Sequence, residues 1–200
     1  MALSQLPGVS AAPVILILAA GRGERFLAAG GQTHKLDAPL TTRTGTRTVL
    51  QHVVAAAQAS GLPWHVVQSQ DTAQHAEQGM GASIATGVRA TPDAAGWLVL
   101  PGDLPLIRPQ SIQAVAHALS GHPVVVPRVD GQQGHPVGFG RTCRDELLSL
   151  RGDQGARKLL GHHSVHVLVL QDRGCILDVD TPQGLAHVQS LAGPAIKNSG

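Results

Sequence analysis

The sequence predicts an α/β protein, a three-layer α/β/α sandwich built on a mostly parallel sheet. Along its 200 residues, short runs rich in β-branched residues alternate with longer alanine-rich segments, the order expected of strands and helices that alternate along a chain. Several runs are apolar on consecutive residues, as in strands that are covered on both faces. Polar motifs follow the ends of the runs, where open α/β sheets bind their ligands.

The individual elements are assigned from composition and periodicity. Strands are expected at 14–19, 64–69, 97–101, 123–127, 165–170 and 175–179. Helices are expected at 22–29, 48–60, 73–90, 109–119, 141–149, 154–161 and 182–190. In 109–119, apolar residues recur at helical spacing and form one stripe. Thr181 followed by Pro182 has the form of an N-cap with proline at the first helical position.

The chain is predicted to form a single domain over residues 13–190. No internal repeat or long linker interrupts this range. Residues 1–12 and 191–200 are rich in small and polar residues, and we expect both segments to be flexible.

Composition limits the classes of partner. Hydrophobic residues make up 42% of the chain and charged residues 14%, which is typical of a globular protein. The formal net charge is +2, and the 15 Lys and Arg residues form no basic run, so we expect no nucleic-acid partner. Aromatic residues are scarce, with two Phe, two Trp and no Tyr, which also argues against a surface on which bases stack.

The sequence favours a cytoplasmic protein with no membrane partner. No segment approaches the ~20 apolar residues of a membrane-spanning helix, and the first residues lack the pattern of a signal peptide. Cys143 and Cys175 belong to no metal-binding spacing, and we expect them to be free thiols in a reducing compartment.

A glycine turn follows the first predicted strand in "VILILAAGRGERF", residues 14–26. Gly21 and Gly23 let backbone amides face a phosphate, and Arg22 and Arg25 add positive charge. The dinucleotide-binding pattern needs a small residue where Phe26 stands, and the P-loop tripeptide Gly-Lys-Ser/Thr is missing. The turn therefore predicts a phosphate site of another kind, with a tight strand-to-helix turn carrying surface arginines as the alternative.

Acidic residues follow two other apolar runs. In "WLVLPGDLPLI", Asp103 lies at the end of a buried strand, where a carboxylate is costly unless it is paired. Mg²⁺ would resolve this cost, because it binds one or two protein carboxylates together with phosphate oxygens. In "CILDVDTP", Asp180 is the second candidate ligand, and Asp178 is interpreted as facing away from it. The alternative for Asp180 is that it only caps the helix that begins near Thr181.

Taken together, the motifs resemble the molybdenum cofactor cytidylyltransferase family, within the wider MobA-like group of NTP transferases. The matching segments occur in family order over about residues 14–188: "LAAGRGERF" with Lys35, "GMGASIATGV", "WLVLPGDLPLI", "GHPVGF", "RGDQGARKLL" and "ILDVDTPQGL". The spacing to Lys35 is stretched, because "RFLAAGGQTHK" contains several additional residues. The resemblance implies the Rossmann-like nucleotide-diphospho-sugar transferase fold.

The resemblance also implies a set of site residues. The nucleotide would contact Leu18, Ala19, Ala20, Gly21, Arg22, Gly23, Arg25, Lys35, Gly81, Ser83, Gly87 and Asp103. Of these, Arg25, Lys35 and Asp103 would be catalytic, and Asp103 and Asp180 would bind Mg²⁺, or Mn²⁺ in its place. The acceptor would contact Gly134, His135, Pro136, Asp153, Gly155 and Arg157. The alternatives are a structural turn at "HPVGF" and a helix N-cap at Asp153.

The activity implied by the resemblance is transfer of CMP from CTP to a molybdopterin-type cofactor, with release of pyrophosphate. Family members with Leu-Ala-Ala-Gly, as at residues 18–21 here, are generally CTP users, whereas guanylyltransferase relatives tend to carry Leu-Ala-Gly-Gly. The receiving partner would be a molybdoenzyme or a cofactor-insertion protein. The alternatives are a cytidylyltransferase acting on a sugar phosphate or methylerythritol phosphate, and a non-catalytic protein that binds and delivers the cofactor.

Overall fold

A central eight-stranded sheet organises the chain, for which a computed structural model describes residues 4–5, 12–43, 45–73 and 79–193. The strands are β1 (Ser4–Gln5), β2 (Val14–Ala19), β3 (Pro39–Thr42), β4 (Gly45–Thr48), β5 (Trp64–Gln68), β6 (Gly96–Pro101), β7 (Val124–Val129), β8 (Gln132–Gln133), β9 (Val137–Gly140) and β10 (Val165–Val169). The helices are α1 (Glu24–Ala28), α2 (Val49–Ala59), α3 (Ser69–Thr72), α4 (Met80–Ala90), α5 (Pro109–Leu119), α6 (Arg144–Ser149) and α7 (Pro182–Ala192). Short 3₁₀ helices span Arg141–Cys143, Ala156–Gly161 and Arg173–Cys175.

The sheet is mixed but mostly parallel, as predicted. Its strand order is β1-β5-β2-β6-β9-β7-β10, and β8 pairs with β7 outside this path. β2 is parallel to both β5 and β6, and β10 is parallel to β7. β9 runs antiparallel between β6 and β7, while β3 and β4 form a separate hairpin. The predicted α/β class is confirmed.

Both faces of the central strands are covered, which explains their consecutive apolar residues. In β2, Leu16 belongs to a core cluster that also contains residues of α4 and α6. Its neighbours Ile15 and Ile17 belong to a second cluster with residues of α2 and α5. Because successive side chains of a strand point to opposite faces, one strand contributes to both clusters. The three layers follow from this arrangement.

Helix starts agree with their sequence signals. At the start of α2, the Thr48 side chain accepts a hydrogen bond from the Gln51 backbone amide, and the Gln51 side chain accepts one from the Thr48 backbone amide. This reciprocal pair is a capping box. The Thr181 hydroxyl accepts from the Gly184 amide at 3.0 Å at the start of α7. Because Thr181 itself supplies this cap, the side chain of Asp180 is not needed for it.

Several sequence predictions are wrong in detail. The predicted strand 175–179 is absent: a 3₁₀ turn ends at Cys175 and an irregular segment follows. The predicted helix 154–161 is a 3₁₀ helix capped at Gly155, so Asp153 is not its N-cap. β9 and the β3–β4 hairpin were not anticipated from the sequence.

Other predictions fall partly outside the described ranges. Within the predicted helix 73–90, residues 74–78 lie outside those ranges and α4 begins at Met80. Of the terminal segments predicted to be flexible, only 4–5, residue 12 and 191–193 are described, and α7 extends to Ala192. Within the described part of the chain, no helix combines the length and apolar character needed to cross a membrane.

The buried carboxylate of Asp172 joins the start of α5 to the 3₁₀ turn at Arg173–Cys175. Asp172 is only 5% exposed. Its carboxylate accepts hydrogen bonds from the Arg108 amide at 3.0 Å, the Ser111 hydroxyl at 2.7 Å and the Gly174 amide at 3.0 Å. A buried charge is tolerated when donors satisfy it in this way, and these contacts fix the chain that leads to residues 176–180.

We predict that Asp172→Ala destabilises the protein by about 3 kcal/mol, because it leaves buried donors without an acceptor. Urea unfolding monitored by circular dichroism measures this change. Asp93→Ala, at an exposed loop position, is the matched control, and we expect it to change stability by less than about 0.5 kcal/mol. Equal stability of the two variants would contradict the structural role of Asp172.

Candidate functional site

A cavity of about 600 Å³ lies beyond the carboxyl ends of β2 and β6. This is the position at which sheets of this class bind ligands. The cavity is lined by Leu18, Ala20, Gly21, Arg22, Gly23, Glu24, Arg25, Phe26, Lys35, Leu36, Gly79, Met80, Ser83, Pro101, Asp103, Asp153 and Asp180. It therefore brings together the glycine turn, Lys35 and both predicted metal ligands.

The glycine turn uses its two glycines for different reasons. Gly23 is the N-cap of α1 and has a φ of 65°, in the left-handed region that glycine adopts at little cost. A Cβ atom at Gly23 would also lie 2.9 Å from the ring of His34. A Cβ at Gly21, by contrast, would meet no atom of the described residues within 4 Å. The backbone and its surroundings therefore favour glycine at position 23, whereas at position 21 glycine leaves space open on the cavity.

Lys35 lies between the two predicted metal ligands. Its Nζ donates to Asp103 Oδ2 and to Asp180 Oδ1, each at 2.6 Å. Burial of the ammonium group opposes its charge, but the neighbouring carboxylates of Asp103 and Asp180 outweigh burial and raise the pKa of Lys35. The longer connection before Lys35 therefore does not prevent it from reaching the site.

Arg25 reaches Asp180 from the glycine turn. Its guanidinium donates to Asp180 Oδ2 at 3.1 Å, although the Arg25 side chain is 84% exposed. The hydrogen bond from Lys35, followed by the charges of Lys35 and Arg25, lowers the pKa of Asp180 against the opposing effect of burial. Arg22 lies at the rim of the cavity, 3.5 Å from the Glu24 carboxylate.

The acidic group contains a third member, Asp178. One oxygen each from Asp103, Asp178 and Asp180 lies within 4.8 Å of the others. The interpretation of Asp178 as facing away is wrong, because side chains two residues apart in extended chain lie on the same side. Val179 between them is fully buried, and its amide donates to the backbone carbonyl of Asp103 at 2.9 Å. This bond places Asp178 and Asp180 beside Asp103.

The acidic group has the properties of a divalent cation site. Oδ1 of Asp103 is buried and has no hydrogen-bond partner among the described residues. Burial, followed by repulsion from Asp103 and Asp180, raises the pKa of Asp178. A hard cation such as Mg²⁺ or Mn²⁺ prefers carboxylate oxygens and would relieve both costs. The donor set therefore fits a divalent metal.

Three residues predicted to contact the nucleotide lie off the cavity lining. Ala19 is the last residue of β2 and packs into the core. Gly81 lies against the 151–154 loop, where its amide donates to Gly152 at 2.8 Å. Gly87 packs on the sheet, because a Cβ there would come within 3.0 Å of Leu16 and Val67. Their small size serves packing, and that requirement is indistinguishable in the sequence from ligand contact.

The predicted acceptor residues are divided between the cavity and its surroundings. Asp153 lines the cavity, whereas Gly134, Pro136, Gly155 and Arg157 are not among its lining residues. Gly134 packs against Cys175, Gly155 lies near Met80, and Arg157 is exposed. The peptide bond between His135 and Pro136 is cis.

His135 lies behind the acidic group. Burial lowers the pKa of His135, against weaker opposing effects of a hydrogen bond to the Val99 backbone and of the charges on Asp103 and Asp178. Its Nδ1 is buried and, within residues 12–43, 45–73 and 79–193, finds no hydrogen-bond partner. We therefore expect a neutral imidazole beside the acidic group, not a charged one.

The structure adds His34, which the sequence did not single out. One ring nitrogen of His34 is 2.8 Å from the carbonyl oxygen of Gly21, and the other accepts from the Leu36 amide at 3.3 Å. The only signal in the sequence was its position immediately before Lys35.

The chain is similar to known proteins over most of its length. A family model described as the MobA-like NTP transferase domain matches residues 15–167, more than half of the chain. The purine catabolism protein PucB of Bacillus subtilis (strain 168) is 31% identical over 193 residues, covering 84% of this chain and 91% of PucB. The bifunctional protein GlmU of Xanthomonas axonopodis pv. citri (strain 306) is 34% identical over 148 residues, covering 66% of this chain but only 30% of GlmU.

Solved structures share the same architecture. Rv0371c from Mycobacterium tuberculosis H37Rv superposes with a TM-score of 0.70 at 26% identity, covering 90% of this chain and 98% of that one. Rv0371c in complex with manganese has a TM-score of 0.65 at 25% identity, with the same coverage. Molybdopterin-guanine dinucleotide biosynthesis protein A from Archaeoglobus fulgidus has a TM-score of 0.63 at 14% identity, covering 89% and 97%, and shows the fold alone.

The two glycines of the turn provide a matched test of the cavity. We predict that Gly21→Ala keeps its stability within about 0.5 kcal/mol but weakens nucleoside triphosphate binding by roughly 10-fold, because the methyl group enters the space that a phosphate would use. Gly23→Ala should lose about 1–2 kcal/mol of stability from its left-handed backbone. Thermal unfolding and calorimetric titration with CTP measure the two effects, and comparable losses of stability in both variants would refute the distinction.

Asp178 provides a test of the acidic group. We predict that Asp178→Asn is more stable than the wild type at pH 7 without metal, because a carboxylate whose pKa is raised on folding destabilises the folded state once it ionises. The difference should disappear as the pH falls towards the unfolded-state pKa of Asp. Each kcal/mol corresponds to about 2–4 °C in melting temperature for a chain of this size.

Added metal should make the wild type more stable than Asp178→Asn, the opposite of the order expected without metal. Added Mg²⁺ or Mn²⁺ is expected to raise the melting temperature of the wild type more than that of Asp178→Asn, since the variant offers one carboxylate fewer. Identical metal-induced shifts would remove Asp178 from the metal site.

Proposed function

The chain belongs to the MobA-like NTP transferase family and is a nucleotidyltransferase, and from this premise we propose that it transfers CMP from CTP to a molybdopterin-type cofactor. The observation that carries the proposal is the meeting of the glycine turn, Lys35 and the acidic group of Asp103, Asp178 and Asp180 on one cavity. Such a cavity has anion-binding and cation-binding groups side by side, as a metal-bound triphosphate requires.

In this proposal the glycine turn binds the triphosphate. The open space at Gly21 lets phosphate oxygens approach the backbone amides. Arg25 and Lys35 are close enough to the acidic group to contact a phosphate that is bound beside it. They would balance the charge of the leaving pyrophosphate, and Arg22 at the rim adds a further cation.

Asp103 and Asp180, joined by Asp178, would hold the divalent metal. The unpartnered Oδ1 of Asp103 is the clearest sign, because a buried carboxylate oxygen without a donor needs another positive partner. When bound, Mg²⁺ supplies charge neutralisation and orientation of phosphoryl oxygens. The manganese complex of Rv0371c supports a divalent metal for this chain without deciding between Mg²⁺ and Mn²⁺.

The proposed reaction needs positioning more than covalent chemistry. An oxygen of the acceptor phosphate forms a bond to the α-phosphorus of CTP as the bond from that phosphorus to pyrophosphate breaks. A phosphate acceptor is already ionised at neutral pH and needs no general base. The residues of the cavity therefore have two tasks, to hold the reactants in line and to stabilise the negative charge that develops on the phosphoryl oxygens.

The choice of nucleotide and acceptor rests on the motifs. The Leu-Ala-Ala-Gly sequence that precedes Arg22 supports CTP, and Ala20 of this motif lines the cavity. Asp153 lines it as well and is the acidic residue through which an acceptor could be contacted. A molybdoenzyme or cofactor-insertion protein would then receive the product, in the cytoplasm.

The proposal is tested by pyrophosphate release in the presence of Mg²⁺ or Mn²⁺. The four nucleoside triphosphates are combined with molybdopterin, a sugar phosphate and methylerythritol phosphate. Release with CTP and molybdopterin supports the proposal. Release only with another acceptor identifies a different cytidylyltransferase, and tight cofactor binding without release with any pair indicates a binding and delivery protein.

We predict that Asp103→Asn lowers turnover by at least about 100-fold while the protein remains folded, because the variant loses a metal ligand and the charge that holds Lys35. Asp37→Asn is the matched control, since Asp37 is exposed on the same connection as Lys35. Pyrophosphate release at saturating CTP and metal measures the effect. Full activity of Asp103→Asn would exclude Asp103 from the reaction.

A further inference from the structure

We propose that His34 is a positioning residue that locks the glycine turn to the segment carrying Lys35. The proposal rests on the proposed function for the role of Lys35, but the contact itself is a property of the protein alone. His34 bridges two parts of the cavity that are separated by α1 and by the additional residues after it. Its two hydrogen bonds run in opposite directions from one ring.

A single protonation state of His34 satisfies both bonds. The Gly21 carbonyl oxygen can only accept, so the Nε2 that lies 2.8 Å from it carries the hydrogen. The Leu36 amide donates to Nδ1 at 3.3 Å, so Nδ1 is unprotonated. The ring is therefore the neutral Nε2–H form, and it acts as a cross-link between backbone groups of Gly21 and Leu36.

The packing around His34 reinforces the cross-link. The ring lies so close to Gly23 that a Cβ there would be 2.9 Å from two of its atoms. The position of the His34 ring therefore depends on the absence of a side chain at Gly23. On the other side of His34, Leu36 is buried, and its carbonyl oxygen accepts from the Leu50 amide at 3.0 Å. The cross-link consequently ties the glycine turn to a segment that is anchored on α2.

The cross-link answers the problem created by the stretched spacing to Lys35. Residues 29–33 are mostly exposed, and a longer exposed connection would leave Lys35 free to occupy many positions. With His34 held at Gly21, the backbone of Lys35 is fixed beside the cavity, and from there its ammonium group reaches Asp103 and Asp180. Positioning of this kind increases the rate, because misplacing a catalytic group by about 1 Å can cost 100-fold.

Two substitutions distinguish the contact of His34 with Gly21 from its contact with the nearby Leu36 amide. In His34→Gln, the amide nitrogen occupies a position similar to that of Nε2 and can still donate to Gly21. In His34→Asn, the shorter side chain can accept from the Leu36 amide in an Asx turn but cannot reach Gly21. His34→Ala removes both contacts. His187→Ala, at an exposed position of α7, is the control for the loss of a histidine.

We expect His34→Asn and His34→Ala to lower kcat for pyrophosphate release by roughly 10- to 100-fold and to raise the KM for CTP by a smaller factor, because Lys35 acts on charge that develops during the reaction whereas the loosened glycine turn contacts the bound triphosphate. His34→Gln should recover most of kcat. Full activity of His34→Asn would overturn the proposal, and so would equal losses in His34→Gln and His34→Asn at unchanged melting temperature.

Hydrogen exchange tests the same contact without any substrate. The amides of Phe26 and Leu27 donate to the Gly23 carbonyl at 3.1 and 3.2 Å. In His34→Asn and His34→Ala these amides should exchange roughly 10-fold faster than in the wild type, and in His34→Gln at a rate near that of the wild type. Unchanged exchange in His34→Asn would overturn the cross-link. If the wild type released pyrophosphate with none of the acceptors, the proposed function would fail while this measurement still decided the role of His34.

Discussion

The structure of the cavity depends on one constraint, the balance of charge around the largely buried carboxylate of Asp103. This carboxylate is largely removed from water and would be costly alone. Lys35 supplies the opposite charge at 2.6 Å, and Asp180 shares the same ammonium group. Three carboxylates face two cations, Lys35 and Arg25, so that one negative charge remains when all are ionised. The excess makes the group receptive to a further cation.

The fold can be understood as the means of assembling these charges. β6 ends just before Asp103, and β2 ends just before the glycine turn. Because the two strands are parallel neighbours, their carboxyl ends lie at the same edge of the sheet, and Asp103 comes to lie beside the turn. Gly102 permits the close approach of these two ends, since its amide donates to Leu18 at 2.9 Å and a Cβ would lie 2.9 Å from the same carbonyl oxygen. Asp178 and Asp180 come from near the other end of the chain, and the hydrogen bond from the Val179 amide to the Asp103 carbonyl oxygen holds them beside Asp103. Neutralisation of Asp103 is thus a long-range property of the chain.

Sequence patterns were informative where one local cause dominates. Consecutive apolar residues identified β2 and β6, and Thr181 marked the start of α7 because its hydroxyl acts within one turn of helix. The segment 175–179 is as apolar as a strand, but Val179 bonds to the connection after β6 instead of to a neighbouring strand. Asp178, His34 and the packing role of Gly87 share this difficulty. Each depends on a partner distant in sequence, which no local pattern encodes.

Gly21 and Gly23 are glycines for different structural reasons, and this difference affects how their replacement in related sequences is interpreted. The backbone conformation and the histidine ring favour glycine at position 23, so its retention reports how the turn is built. At position 21, an added Cβ would meet no atom within 4 Å in the part of the chain that the structure describes. A relative that keeps the second glycine but replaces the first would therefore preserve the architecture while narrowing the cavity beside the turn. In such families, position 21 is informative about chemistry and position 23 about folding.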